Sequence, residues 1–383
     1  MNFLDLINEG KSFSYYSDDT EELAKIDIFK DPVKYIEKYF KYGCKDFSLF
    51  LNDSTLLTDY DRCRHMCSLY SFGTIIAIKS NLFNLIESKY NPYIPKSLVN
   101  HNKSFLYYWF LVSLYHDVAY GIKSPPNIEY DLFKYRHSKK KFINDILESK
   151  VYNKKIKEIF ENYSRIQFSH LSGNKKLYHT INNYYRPKTY KIYFSYRNNE
   201  ISDPSSNKSK YEYIEHGIAG GLLFYNNMLM AYKKALQQNY TINDEFVIDY
   251  NNIVWFPEQI DIFKDLGFII ATHNLWKENF NKYGINESFK NVNSKNPLLF
   301  LLCLCDTIDP YKYLMKNEVD ISIIMNILKA IDIDINKNEI IVYKPKTNEY
   351  NIVGNWYSDL KKELEHFIKI KVNVCNERTV ITW

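Results

Sequence analysis

Five points in this 383-residue sequence carry side chains of the kind that hold metal ions: His65, the pair His116-Asp117, His216, His273 and Asp306. Each falls in, or at the end of, a stretch apolar enough to be a buried helix. Imidazole nitrogens and carboxylate oxygens suit borderline and hard divalent ions such as Mn, Fe, Mg, Ni or Zn. A carboxylate has two oxygens, so one Asp can serve two ions. Two ions about 3.5–4 Å apart can hold a hydroxide between them and clamp a phosphoryl group for in-line attack. Asp117, beside a histidine at the end of an apolar run, is costly to bury unpaired, and a metal would offset that cost. The remaining histidines (His101, His137, His170, His179 and His366) lie in polar or basic stretches or near the C-terminal end.

The elements that must bring these points together read as mainly helical. Residues 1–60 read as short helices with polar loops, packed on a core domain of residues 61–330. Within Asp61 to Lys79, Leu69, Phe72, Ile75 and Ile76 recur at helical spacing. Phe105 to Tyr120 is apolar nearly all round, which fits a buried central helix stopped by Ser124-Pro125-Pro126. Tyr211 to Gln238 reads as a long helix. Pro257-Glu258-Gln259 starts the helix that reaches His273, and Asn296-Pro297 opens an apolar helix through Ile308. Asp320 to Ile331 closes the set. Residues 331–383 change texture. Ile340 to Tyr343, Tyr350 to Val353, Ile368 to Val372 and Thr379 to Ile381 look like strands, with an amphipathic helix at Tyr357 to Phe367. The expected fold class is mainly α, a helical bundle with a small α+β C-terminal appendage.

Charge is distributed unevenly. Asp131 to Lys210 holds 18 Lys or Arg and 7 Asp or Glu, a net of +11, so the rest of a chain with net charge +5 sums to −6. The same segment is rich in Tyr, as in Tyr184-Tyr185-Arg186-Pro187-Lys188-Thr189-Tyr190-Lys191. It forms most of a basic insert, 124–210, between Asp117 and His216. Cations attract phosphates and aromatic rings stack on bases, so the partners it suits are nucleotide phosphates and single-stranded nucleic acid. A solvated surface with codon-driven Lys and Tyr is the plainer alternative.

An aromatic content of 17% excludes a chain that is disordered throughout. The N-terminus has no basic stretch followed by an apolar core, so it does not read as a secretory signal. The longest apolar runs, Phe105 to Val112 and Leu298 to Cys305, fall short of the roughly 20 residues that cross a bilayer, and no membrane association is expected. Six cysteines make no disulfide framework at this length and fit a reducing cytoplasm. Cys63 and Cys67 flank His65, and Cys303 and Cys305 flank Asp306, an arrangement open to a zinc reading. Against it, a C-x-C on a helix points its thiols apart, and free cysteines are commonly buried.

Taken in order, the ligand-bearing segments resemble those of the HD-domain metal-dependent phosphohydrolases. Leu114-Tyr115-His116-Asp117-Val118-Ala119-Tyr120-Gly121 resembles the signature of that superfamily. Arg64-His65-Met66-Cys67-Ser68-Leu69 resembles the first-helix histidine. Glu215-His216-Gly217-Ile218-Ala219-Gly220-Gly221 resembles the third ligand helix, with small residues after the histidine. Ile270-Ala271-Thr272-His273-Asn274 resembles the fourth, and Leu302-Cys303-Leu304-Cys305-Asp306-Thr307-Ile308-Asp309 the closing aspartate helix. The order His, His-Asp, His, His, Asp is similar to that of the two-metal subgroup with cyclic-nucleotide and cyclic-dinucleotide phosphodiesterases. The resemblance covers about residues 60–310, discontinuously.

That resemblance implies an HD-type helical bundle and two divalent ions. His65, His116, Asp117 and Asp306 would hold the first; Asp117, His216 and His273 would hold the second, with Asp117 bridging. It implies hydrolysis, through a metal-bound hydroxide, of a phosphodiester in a nucleotide, cyclic nucleotide or short oligonucleotide. Hydrolysis of a nucleoside 5′-phosphate or triphosphate is the alternative within the class. One departure stands out: many members carry Lys shortly after the His-Asp pair, where this chain has Tyr120. The leaving-group acid is then Tyr120, Lys123 or a residue of the insert. The insert spans most of the 99-residue interval from Asp117 to His216, where it could act as a lid or a groove wall. The missing Lys also supports a rival of another class, a nucleotide- or nucleic-acid-binding sensor that kept the ligands and lost turnover. Asp309 reads as mainly structural.

Overall fold

The computed structural model of the chain describes residues 1–13, 20–39, 60–93, 104–118, 217, 221, 224, 228, 248–250, 253–255, 259–273, 296–316, 319–345, 351–364 and 370–383. The basic insert, His216, Tyr120 and Lys123 lie outside the described residues. Among those described, helices dominate, as the mainly α reading expected. They are α1 (Phe3–Lys11), α2 (Thr20–Lys25), α3 (Pro32–Tyr39), α4 (Tyr60–Lys79), α5 (Leu82–Tyr90), α6 (Ser104–Tyr115), α7 (Gln259–Thr272), α8 (Pro297–Ile308), α9 (Pro310–Lys316), α10 (Ile321–Ala330) and α11 (Asn351–Leu364). A two-stranded hairpin, β1 (Ile248–Tyr250) and β2 (Ile253–Trp255), precedes α7. No single described helix is long and apolar enough to cross a membrane.

Helix α4 is the axis of the core. It packs against α1, α3, α5, α6, α8 and α9, and is buried almost throughout from Cys63 to Ala77. Small residues make that crowding possible. A methyl group added at Gly73 would overlap the Trp109 ring of α6, and one added at Gly10 of α1 would overlap the Ser71 carbonyl of α4. Two hydroxyls on this helix are satisfied locally. Ser71 Oγ donates to the Cys67 carbonyl at 2.9 Å, and Thr74 Oγ1 donates to the Tyr70 carbonyl at 2.7 Å. Trp109 Nε1 donates to that same Tyr70 carbonyl at 2.9 Å, which fixes α6 against α4.

Helix α6 is apolar on every face and buried, as its composition requires. Its N-terminus is held from α5, where Glu87 Oε1 accepts the Phe105 N–H at 2.7 Å. Helix α8 starts with Asn296 accepting the Leu299 N–H at 3.3 Å and with Pro297 in its first turn, then runs buried to Ile308.

The C-terminal part is a four-stranded antiparallel sheet in the order β3 (Ile333–Asn336), β4 (Glu339–Tyr343), β6 (Arg378–Thr382), β5 (Lys371–Val374). Ile340 opposes Ile381 in the register, and Ile340 and Val342 alternate inward along β4, so one face covers the core. The N-terminus joins this unit: Phe3 N donates to the Ile331 carbonyl and Ile333 N to the Met1 carbonyl, both at 2.8 Å. One expectation is corrected: residues 351–353, read as strand, form the first turn of α11. The strand expected over Ile368 to Val372 is present as Lys371–Val374, with 368 and 369 outside the described residues. The β-branched pair Ile352-Val353 suggested a strand. The burial of Trp356, Leu360 and Leu364 at four-residue spacing decides for a helix.

Candidate metal centre

Three helices end at one buried point. His116 and Asp117 follow the last residue of α6, His273 follows the last residue of α7, and Asp306 lies in the last turn of α8. His65 comes from the second turn of α4. Helix C-termini carry partial negative charge from unpaired carbonyls, so three of them meeting favour a cation between them.

The position just past a helix end also orients the imidazoles. His116 Nδ1 pairs with the Ser113 carbonyl at 2.6 Å, and His273 Nδ1 pairs with the Ile270 carbonyl at 2.7 Å. In each case the ring bonds a carbonyl three residues back, one of those the helix leaves without an intrahelical partner. Nδ1 therefore carries the proton, and the lone pair of Nε2 faces the cluster. His65 reaches the same result from mid-helix. Its Nδ1 meets Asp309 Oδ2 at 2.8 Å, while its Nε2 lies 3.2 Å from Asp306 Oδ1 and 3.3 Å from His116 Nε2.

The ligand-type atoms fall into two groups, His65/His116/Asp306 and His116/Asp117/His273, in each of which they lie within 4.8 Å of one another. All five residues are buried. These groups could bind a metal ion. The donors fit one by chemistry as well as spacing: three imidazole nitrogens held with lone pairs inward, and carboxylates from two separate elements. His116 belongs to both groups. Asp117 also faces both sides, with Oδ2 at 3.8 Å from His65 Nε2 and Oδ1 at 4.0 Å from His273 Nε2.

Of the residues singled out in the sequence, the structure brings together His65, His116, Asp117, His273 and Asp306. For His216 the nearest described residue is Gly217, which lies against His273. A Cβ there would come within 2.8 Å of His273 Nδ1 and 2.9 Å of the Ile270 carbonyl, so only glycine fits. Gly217, Gly221, Phe224 and Met228 are helical and buried, and Phe224 packs on Tyr115 of α6.

Two charged residues at the centre, Arg62 and Lys312, were not anticipated, and Asp309 was read as mainly structural. Asp309, just past α8, is more than a helix terminus. Its Oδ2 takes His65 Nδ1, and its Oδ1 accepts from the Tyr311 N–H at 3.0 Å and from Ser68 Oγ at 3.3 Å. This is the carboxylate–histidine arrangement that commonly orients metal-ligating imidazoles. Arg62 Nη1 lies 3.3 Å from Asp117 Oδ2, and Lys312 Nζ pairs with Asp306 Oδ1. The only local signal for Arg62 is its place one turn before His65 on α4. Burial is the largest influence on His65 and pushes its pKa down. The hydrogen bonds to Asp306 and Asp309 oppose this, and the net result lies above the ordinary histidine value.

The buried thiols do not join the cluster. Cys303 Sγ bonds the His273 carbonyl at 3.3 Å and Cys67 Sγ the Pro32 carbonyl at 3.7 Å. Burial pushes the Cys67 and Cys305 thiols well above the usual thiol range, so both stay protonated. No family model, no curated protein and no solved structure matches the chain.

Proposed function

We propose that the chain is a metal-dependent phosphohydrolase of the HD-domain type, most simply a phosphodiesterase for a nucleotide, cyclic nucleotide or short oligonucleotide. One observation carries this reading: side chains on α4 and α8 and just past the ends of α6 and α7, placed between residues 65 and 306 in the order His, His-Asp, His, Asp, meet as two overlapping groups of ligand-type atoms. Two divalent ions bound there would supply Lewis acidity toward a phosphoryl group and a nucleophile at neutral pH. The chain's own part is to hold the donors. Asp117 turns one oxygen to each side, and the carbonyls of Ser113 and Ile270 fix the rings of His116 and His273. Arg62, with 14% of its side chain exposed, sets a guanidinium beside Asp117 where a phosphate oxygen could accept from it. Tyr120, Lys123 and the basic insert remain the leaving-group acids of this reading.

A second reading, the nucleotide-binding sensor without turnover, has its own support. Arg62 and Lys312 pair with Asp117 and Asp306, so the carboxylates have cationic partners within the chain. One experiment separates the two. The purified protein is assayed for bound metal, then for hydrolysis of mono-, tri-, cyclic and oligonucleotides with Mn2+, alongside Asp117→Ala. Hydrolysis that Asp117→Ala abolishes supports the enzyme. Metal and tight nucleotide binding without product would support the sensor, and neither metal nor product would defeat the hydrolase.

A further inference from the structure

The oxygen that ties the first group together is the one a lysine occupies. Asp306 Oδ1 lies 3.2 Å from His65 Nε2 and 3.5 Å from His116 Nε2, and Lys312 Nζ is paired with that same Oδ1. A divalent ion held by His65, His116 and Asp306 would sit against this ammonium, and two cations cannot share one carboxylate oxygen at short range without strong repulsion.

The surroundings of Lys312 offer another place for its charge. Lys312 lines a cavity between α8, α9 and α11 whose other walls include Asp306, Asp309, Trp356, Asp359 and Glu363. Asp359 and Glu363 stand on α11, on the side of the cavity supplied by the C-terminal unit. A lysine has a flexible four-carbon stem, so its ammonium can move within the cavity while its backbone stays in place.

We propose that Lys312 is the resident counter-ion of the His65/His116/Asp306 group, a cation that a divalent ion must displace, and that the carboxylates of α11 receive its ammonium when it leaves Asp306. The proposal rests on the metal-binding reading above. It gives the C-terminal unit a part in the site: the seat α11 offers to Lys312 helps to set metal affinity, and by linkage metal occupancy biases how α11 is held.

The test uses the full-length chain stripped of metal with a chelator, titrated calorimetrically with Mn2+ and melted with chelator present. Lys312→Met keeps the stem and removes the charge. It should lower the melting temperature in chelator, because Asp306 loses its buried partner. It should also tighten Mn2+ binding by about tenfold, an ordinary coupling. Asp359→Asn/Glu363→Gln, on the half-buried and exposed side of α11, should weaken Mn2+ binding and leave the melt in chelator nearly unchanged. Mn2+ binding to Lys312→Met that is no tighter than to the parent chain overturns the proposal and leaves the metal reading standing. Unchanged affinity in the double variant overturns the role given to α11. Binding to neither the parent nor Lys312→Met overturns the metal reading and this proposal together, whereas binding to Lys312→Met alone supports the displacement in its strongest form.

Discussion

Asp309→Asn changes one atom of the centre and has a worked consequence. The two oxygens of Asp309 have separate tasks: Oδ1 accepts from the Tyr311 N–H and from Ser68 Oγ, and Oδ2 meets His65 Nδ1. An asparagine that keeps its oxygen on the Tyr311 N–H must turn its NH2 toward His65. Nδ1 then becomes an acceptor, and in the neutral ring the proton moves to Nε2, the atom that faces Asp306 and His116. The opposite flip keeps the His65 bond but sets NH2 against the Tyr311 N–H, leaving a buried donor unsatisfied. In either case a charge-assisted bond is lost, worth about 1.5–3 kcal/mol, partly recovered by a neutral one. Loss of such an orienting carboxylate typically lowers metal affinity by about 10–100-fold. The assay is calorimetric titration of the chelator-stripped chain with Mn2+, beside urea unfolding in chelator. Ser68→Ala serves as the control, because it touches only Oδ1 and leaves the His65 tautomer alone. Asp309→Asn binding Mn2+ as tightly as the parent chain, at the same stoichiometry, would refute the claim that Asp309 positions His65.

Other consequences of the packing are as direct. Gly10→Ala should gain about 1 kcal/mol of helix propensity yet destabilise the chain on balance, because the added methyl meets backbone of α4 rather than a movable side chain; a raised melting temperature would contradict the crossing as described. Gly73→Ala should behave likewise against the Trp109 ring, and a near-neutral melt would show that the ring gives way. Among the five cysteines described, Cys375 alone is exposed, so brief alkylation followed by peptide mapping should label it well before Cys63, Cys67, Cys303 or Cys305. Equal labelling of Cys67 and Cys375 in the folded chain would contradict the burial of α4.

What was legible in the sequence, and what was not, follows from the range of each interaction. His116-Asp117, His273 and Asp306 could be read because their signal is local: a ligand-type residue at the end of an apolar run. The rings of His116 and His273 are then aimed by carbonyls three residues back, Ser113 and Ile270. Arg62, Lys312 and the task of Asp309 were not legible. The pairing of Asp309 with His65 joins residues 244 positions apart, and that of Arg62 with Asp117 joins residues 55 apart. Only the assembled α4–α6–α8–α9 packing decides them. The Lys312 pairing is nearer in sequence, six residues from Asp306, yet it depends on the chain turning at Asp309-Pro310 between α8 and α9.

The same distinction explains the misread first turn of α11, where Ile352-Val353 gave a strand signal by composition. The helix is set by the Trp356, Leu360 and Leu364 stripe that follows. A histidine one residue past the C-terminus of a buried helix is the pattern that local reading can carry furthest. The helix leaves it a carbonyl three residues back, that bond places the proton on Nδ1, and Nε2 must then face away from its own helix. Two helices ending this way aim both imidazoles by local contacts alone; that they meet beside two carboxylates, in groups that could bind a metal ion, is decided by long-range packing.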